Sequence, residues 1–599
     1  MKHFTLLFSL ILLSVLPLRA DSVDALRAAE VARAFFRNDR NVALRMAPLQ
    51  SVERAAVPLT KAAEEQPPFY IFNRAGGGFV IVAAEDACNP ILGYSFTNSF
   101  GRGADMPEGL SAWLDDIADQ VVLSREATSD ERARALRQWD AMFVQTKADN
   151  PYQPAIKYDT PLWGQGTPFN NLAPEVGGKK AVCGCVPLAM SMLARFYGYP
   201  AAGKGTLPSY SYTTDSGENV TIPGMDLGKP YDWSNIRMEY KGEYTAAEAD
   251  AVAHLVYECG VMVQAKFDAS TSAKTHLVAG KAIDHLGFDA GATYYYRAYF
   301  SDAVWLDMLK KELQEHPVIY AAHRDGGGHT FLVDGYDEAG NLSVNWGWSG
   351  ESNGYYALSA FVPNPNRQYL FQHAAIIGFK PDQGGMAKEY LYLLSGTSSS
   401  GTVFKGLEPD GTIVPRKSFN MKVGGVCNGG NDPFAGYFIL ALTDADGNIK
   451  DFVSGSQYYD LTSARSWRGY TGIPCILNTY PLEGDRIRAF YRSENWGENQ
   501  WTPFLYDTTD ETLVTEIPVF DNQTLAEATT FSYAKTLQIV SIDTKDHVNW
   551  TFKSSTGADA SDCVTYAGVQ MSIDASKLKG AYTLTLQRGN DKLSLTLTF

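Results

Sequence analysis

Residues 181–200 read AVCGCVPLAMSMLARFYGYP, and the fold is read outward from them. Pro187 suits a first helical turn, where its missing N–H would have no partner anyway. After it Leu188, Met192, Leu193 and Phe196 fall near one helical face, and Gly198 and Pro200 end the run. Cys185 therefore sits at a helix N-terminus, or one residue before it. The partial positive charge there favours a thiolate over a thiol, and a thiolate is the species that attacks a carbonyl. Gly184 removes a side chain where substrate backbone would approach. The plain alternative is that Cys185 is a small buried hydrophobe, the usual fate of a free cysteine. This segment alone permits either.

Residues 320–350, YAAHRDGGGHTFLVDGYDEAGNLSVNWGWSG, weigh on that choice. Gly326 to Gly328 precede His329, an apolar run follows at Phe331 to Val333, and a turn at Asp337 to Asn341 leads to a second run ending in Asn345-Trp346-Gly347-Trp348. The pattern predicts an antiparallel hairpin with His329 near the start of one strand and Asn345 on the returning one. An imidazole base needs an acceptor that fixes its tautomer, and an Asn side-chain oxygen can serve. Trp346 or Trp348 would shield that bond from water, and with Gly328 and Gly184 they are read as walls of the site. His323 is a rival base, expected in a loop before the glycines. Upstream, LWGQGTPFN (162–170) places Gln165 in a loop, where its amide joins the Cys185 backbone N–H as an oxyanion donor. Singly, none of these residues outweighs an ordinary structural role; the order Gln165, Cys185, His329, Asn345 does.

WGQGTPFN (163–170), GCVPLAMSMLARFYGYP (184–200), GGGHTFLVDGYD (326–337) and VNWGWSG (344–350) together resemble the streptopain-like family of papain-clan cysteine peptidases. ECGVMVQAKFDAS (258–270) resembles that family's substrate-cleft strand and loop, and FVIVAAEDACNPILGYS (79–95) its propeptide. The resemblance covers about 21–380 and implies an α+β chain with a two-lobed papain-like catalytic domain, endopeptidase activity on proteins or peptides, and a propeptide that acts as an intramolecular inhibitor. It implies Cys185 as nucleophile, His329 as base, Gln165 as oxyanion donor, Asn345 as orienting residue, an apolar preference beside the cut, and no metal or cofactor. Pro187 departs from the family, which more often has a small residue there. Cys183 is unusual so near a nucleophile and would allow a redox-sensitive pair. Two rivals stand beside this reading. One is a transglutaminase-like acyltransferase using Asp334 or Asp337 as third group. The other is an adhesin with a degenerate peptidase core.

The rest of the chain sets the context. At 599 residues it is long enough for three or four domains. A formal charge of −16 and the lack of any dense basic block argue against nucleic acid or an anionic membrane as partner. MKHFTLLFSLILLSVLPLRADS, with a basic start, an apolar run from Phe4 to Leu16, Pro17 and a small residue at Ala20, reads as a secretory signal over 1–20. The protein is thus expected to be secreted: extracellular, periplasmic or at the cell surface, with no membrane span. Seven cysteines (Cys88, Cys183, Cys185, Cys259, Cys427, Cys475 and Cys563) are too few and odd in number for a disulfide framework. No C-x-x-C or nearby His suggests zinc.

Helical patterns at 24–39, 109–124 and 130–145 and a hairpin at 69–86 turning at Gly76 to Gly78 mark residues 21–150 as an α+β inhibitory propeptide. TKADNPYQPAI (146–156) reads as an exposed linker, with release expected near Lys147 to Asn150. The peptidase domain is assigned 151–383, and KPDQGGMAK (380–388) reads as a second linker. Short alternating strands such as YFILAL (437–442) and TLQIVSI (536–542) suggest β-sandwich modules at 388–518 and 523–599. The last module is of sandwich or sorting type, closing in a hairpin around Gly589-Asn590.

Overall fold

The computed structural model describes residues 22–37, 49–51, 67–101, 108–144, 150–324, 327–360 and 372–394, and beyond these most of 396–599 apart from short stretches, the longest being 398–402, 462–466, 506–514, 517–524 and 543–547. The predicted signal over 1–20, Lys147 and the Gly589-Asn590 turn lie outside the described residues. The chain forms two compact units. One comprises Met1–Tyr390 with Gly429–Asp432 and Asp507–Thr509, and the other Leu391–Asn428, Pro433–Tyr506 and Asp510–Phe599.

In the first unit the chain opens with helix α1 (Ala25–Arg37), whose Ala28, Val31, Ala32 and Phe35 are buried at the spacing of one helical stripe. Strands β1 (Leu49–Ser51), β2 (Phe69–Arg74), β3 (Phe79–Ala83) and β4 (Ile91–Ser95) follow. The β2–β3 turn needs its glycines, because Gly76, Gly77 and Gly78 hold φ of 91°, 106° and 107°. Helices α2 (Glu108–Leu123) and α3 (Ser129–Val144) complete the upstream segment. Thr128 and Glu131 cap α3 reciprocally: Glu131 Oε2 accepts the Thr128 N–H at 2.8 Å, and Thr128 Oγ1 accepts the Glu131 N–H at 3.4 Å. Beyond the junction come β5 (Pro154–Lys157), α4 (Cys185–Tyr197), α5 (Ala246–Met262), α6 (Leu277–Leu286), β6 (Thr293–Tyr296), α7 (Asp302–Glu312), β7 (Val318–Arg324), β8 (Gly327–Asp337), β9 (Leu342–Asn345), β10 (Gly354–Tyr356) and β11 (Gln372–Ile377).

These strands form one eleven-stranded sheet in the order β1-β2-β3-β4-β10-β9-β8-β7-β11-β6, with β5 paired onto β8. The upstream segment is therefore joined to the region beyond the junction by a shared antiparallel sheet: Tyr355 lies opposite Tyr94 and Tyr356 opposite Gly93. Glycine is required at the join, since a Cβ on Gly354 would collide with the Tyr94 carbonyl and one on Gly93 would lie 2.9 Å from the Tyr356 ring.

The central strands face two cores. Val318, Tyr320, Ala322, Phe331 and Val333 point into one, shared with α1, α2, α3 and α7. Ile319, Ala321 and Leu332 point into the other, with α4, α5 and α6. Upstream residues thus fill one face of the sheet that carries the candidate site. Trp113 of α2 packs 4.9 Å from the Tyr356 ring and donates its indole N–H to the Ala357 carbonyl at 3.2 Å.

Several expectations change. The junction is not wholly an exposed linker: Asn150 and Tyr152 are buried, and Tyr152 joins Phe35 and Tyr94 in an aromatic cluster before Pro154–Lys157 pairs with β8. Tertiary pairing here overrides the turn-like composition. KPDQGGMAK is likewise tethered, because the Asp289 carboxylate accepts the backbone N–H groups of Gln383 and Gly385 at 3.0 and 3.1 Å. Glu258 to Met262, read as part of a cleft strand, end helix α5. His323 lies on β7, opposite Gly328, rather than in a loop. Helix α4 is buried on all sides from Val186 to Ala194, not along one face, because it lies within the second core.

The second unit is sheet-rich. A three-stranded, a second three-stranded and a six-stranded sheet accompany an apolar cluster that runs from Leu391 to Phe504. A four-stranded and a three-stranded sheet accompany another that runs from Leu525 to Leu586. The predicted terminal hairpin forms, with Ala581–Arg588 paired to Asp591–Thr598.

A polar cluster bridges the upstream segment and the catalytic sheet. Asp116 Oδ2 of α2 lies 3.3 Å from Nε2 of His373 on β11. His373 Nδ1 faces an Arg297 guanidinium N–H at 3.3 Å and the Tyr320 hydroxyl at 3.0 Å. A guanidinium only donates, so Nδ1 accepts and Nε2 carries the proton toward Asp116. Burial lifts the Asp116 carboxyl from 3.8 to about 7 against the pull of Arg297. A raised carboxyl stabilises the fold while protonated. That contribution is complete below pH 3.8 and is lost as pH rises through about 7. Asp116→Asn, which cannot ionise, should raise the melting temperature of the full chain more at pH 8.5 than at pH 5.5, where part of the contribution is still present. An equal shift at both pH values would contradict this.

Candidate active site

Helix α4 begins at Cys185, as the sequence predicts. Gly184 before it has φ 88° and ψ 150°, a conformation open in practice only to glycine. A Cβ there would also lie 2.6 Å from Cγ2 of Thr271. Thr271 is held in turn, its Oγ1 donating to the Val182 carbonyl at 2.7 Å and accepting the Asp268 N–H at 2.9 Å. The Lys266–Ser272 loop is thereby fastened to the approach of the helix. Cys185 is half-buried at the head of the helix dipole. Cys183 is buried, and burial pushes its thiol well above the ordinary cysteine range. None of the seven cysteines is in a disulfide, so Cys183 and Cys185 are not bridged in this structure.

Gln165 is brought beside this helix start by its backbone: the Cys183 N–H donates to the Gln165 carbonyl at 3.0 Å. The same loop is pinned by Asn170, whose Nδ2 donates to the Ala181 carbonyl at 2.9 Å.

His329 is fully buried on β8, opposite Ala322 of β7. Its Nε2 lies 2.9 Å from the Trp346 carbonyl; a carbonyl only accepts, so that nitrogen carries the proton. The ring is also walled by the upstream segment. A Cβ on Gly109, the second residue of α2, would lie 2.5 Å from Cδ2 and 2.8 Å from Cβ of His329.

Asn345 ends β9, with Leu332 opposite it, and is fully buried. Its Oδ1 accepts the Gly347 N–H at 3.2 Å, while its Nδ2 donates to Thr160 Oγ1 at 3.0 Å and to the Pro161 carbonyl at 2.9 Å. Trp346 is fully buried, 4.7 Å from the Phe331 ring and 5.2 Å from that of Tyr356; Trp348 is half-buried. Gly347 between them adopts φ 73° and carries the turn against α4, where a Cβ would lie 3.0 Å from Leu188. Gly328 is exposed on β8 beside His329.

The two aspartates named as rival third groups are engaged elsewhere. The Asp334 carboxylate takes Lys157 at 2.6 Å and the Thr160 hydroxyl at 2.7 Å. Asp337 takes the Tyr94 hydroxyl at 2.7 Å and Asn341 through its backbone N–H at 2.7 Å and side-chain amide at 2.8 Å. Burial lifts the Asp337 carboxyl to about 6. Gly109, Thr160, Thr271 and the Trp346 carbonyl were not singled out from sequence. Each acts through a partner elsewhere along the chain, and only the Trp346 carbonyl lies in a marked motif, VNWGWSG, where the side chain rather than the backbone was read.

Comparison with known proteins gives this arrangement its relatives. The Peptidase C10 family matches residues 163–356, and the Spi protease inhibitor family matches residues 20–121. The chain is similar to the thiol protease/hemagglutinin PrtT of Porphyromonas gingivalis, 28% identical over 427 residues that make up 69% of this chain but only 46% of that protein. It is similar to streptopain of Streptococcus pyogenes, 28% identical over 335 residues, 52% of this chain and 80% of that one. Among solved structures it is similar to two from Prevotella intermedia. A prointerpain A fragment is 26% identical, with 56% of this chain and 98% of that one covered and a TM-score of 0.42. Active interpain A is 31% identical, with 39% and 98% covered and a TM-score of 0.34.

Gly184→Ala should lower the melting temperature, since a non-glycine residue in that backbone region costs of order 1–3 kcal/mol before the collision with Thr271 is counted. It should also impair activity by shifting the start of α4. An unchanged melting curve would contradict the backbone assignment.

Proposed function

The chain belongs to the streptopain-like Peptidase C10 family of papain-clan cysteine peptidases, and on that premise we propose that it is an endopeptidase made as a zymogen. Cys185 is the nucleophile, His329 the base, Asn345 the residue that orients the imidazole, and Gln165 the oxyanion donor beside the Cys185 N–H. Trp346 and Trp348 wall the site. The observation that carries this reading is Cys185 as the first residue of a buried helix, with Gln165 bonded to the turn that leads into it.

The thiolate of Cys185 attacks a substrate carbonyl, and the carbonyl electrons move onto an oxyanion held by Gln165 and backbone N–H. His329, as imidazolium, gives its proton to the leaving amine as the C–N bond breaks, leaving a thioester. It then takes a proton from water, whose oxygen attacks the thioester; the acid product leaves and the Cys185–His329 pair is restored. By likeness to the family, an apolar residue is preferred next to the cut. Asp334 and Asp337, each engaged with other partners, do not favour the acyltransferase alternative.

The upstream segment is the inhibitor. What supports this is its sheet continuing into the catalytic one and Gly109 packing on His329, whose N–H stays on the Trp346 carbonyl. Removal of that segment near Lys147 to Asn150 frees the ring. The proposed boundaries are a signal over 1–20, an inhibitory segment over 21–150, the peptidase over 151–383, and two β-sandwich modules over 388–518 and 523–599. The signal implies export. No described helix is long and apolar enough to cross a membrane. The modules are assigned to substrate binding, surface attachment or export.

Cys185→Ala should abolish both casein cleavage and self-maturation, leaving a full-length chain. N-terminal sequencing of the matured parent should find a start near residues 147–150. Activity retained by the variant would sink the nucleophile assignment, and a start well before residue 130 would contradict the inhibitory segment.

A further inference from the structure

Asn345 can orient an imidazole only if its amide presents oxygen, not nitrogen, to the ring. Three neighbours decide which end faces where. The Pro161 carbonyl, 2.9 Å from Nδ2, can only accept, and the Gly347 N–H, 3.2 Å from Oδ1, can only donate. The third is a hydroxyl, Thr160 Oγ1, 3.0 Å from Nδ2. A hydroxyl could face an amide in either sense, because it both donates and accepts. Here it cannot. Its one proton is taken by the Asp334 carboxylate, which lies 2.7 Å away, accepts only, and is paired with the Lys157 ammonium at 2.6 Å. With its proton spent, Thr160 offers Asn345 only lone pairs.

We propose that Thr160 is a positioning residue for catalysis: its hydroxyl, committed to Asp334, holds the nitrogen end of the Asn345 amide, so that Oδ1, which already accepts the Gly347 N–H, is the end presented to His329 once the imidazole N–H leaves the Trp346 carbonyl. This rests on the role given to Asn345 above. Thr160, Asp334 and Asn345 are buried and only the Lys157 end of the relay Lys157–Asp334–Thr160–Asn345 is exposed, and the low-dielectric setting of the buried part strengthens its bonds. It also gives the first residues past the junction a task. The segment from Lys157 to Pro161 is strapped to β8 through Asp334, whose backbone carbonyl accepts the Tyr158 N–H at 2.7 Å. The start of the mature chain thus holds the orienting residue of the site, and Asp334, the residue read as a rival third group, stands behind Asn345.

The test is steady-state kinetics on the matured enzyme, keeping every residue downstream of the junction, and its variants, with active sites titrated. Thr160→Val keeps the shape and removes the hydroxyl. It should lower kcat about tenfold, the size of one hydrogen bond to a charged partner network, and leave KM within twofold. Thr160→Ser should restore the parental kcat. In an Asn345→Ala background Thr160→Val should cost nothing further, because it acts through that amide. Thr160→Ala serves in the same comparisons should the valine variant not fold. Parental kcat in Thr160→Val, failure of Thr160→Ser to rescue, or additive losses in the double variant would each overturn the relay. Parental kcat in Asn345→Ala would overturn it too, and would mark the role of Asn345 itself as the fault.

Discussion

Strand β8 is buried on both faces, and the first unit is organised around that constraint. Phe331 and Val333 point into one core and Leu332 into the other, so the register of the strand is tightly specified: a slip of one residue would exchange the two sets. His329 rides on this strand, and Asn345 on its neighbour faces Leu332 across the ladder. The positions of His329 and Asn345 are therefore set by core packing rather than by loop conformation. The price is that one of the two cores is completed by residues of the upstream segment.

That shared core gives latency a physical basis. A segment attached only by a linker could leave freely. Here β4 pairs with β10, Trp113 packs on Tyr356, Tyr94 bonds Asp337, and Asp116 faces His373 across the seam. The contact at His329 that is proposed as inhibitory comes from the first turn of α2, whose remaining turns are anchored in that core. Release of the segment must open a sheet edge and expose aromatic surface, so it is a cooperative event rather than the fraying of a tail.

The elements that carry the proposed site residues were legible in the sequence because they sit on local signals. Pro187 and the apolar run behind it mark where α4 begins, and the turn at Asp337 to Asn341 marks the hairpin carrying His329 and Asn345. The misreadings have common causes. Helix α4 looked one-sided because Ser191 and Arg195 interrupt its apolar run, yet it is enclosed from Val186 to Ala194 by tertiary packing. Asn150 to Lys157 looked like a linker because proline and polar residues carry no period, yet β8 supplied a partner for it. The bonds of Thr160 could not be found at all, since its partners are an amide 185 residues away and a carboxylate 174 residues away.

The central claim is that Cys185 is a reactive thiol which the intact chain keeps out of use. Peptide mapping by mass spectrometry after exposure to a thiol-directed epoxide addresses it directly, with the intact chain and the matured enzyme treated side by side. The account predicts a single adduct, on Cys185, in the matured enzyme and none at that residue in the intact chain. An adduct on another cysteine, or equal labelling of Cys185 in both forms, would contradict it.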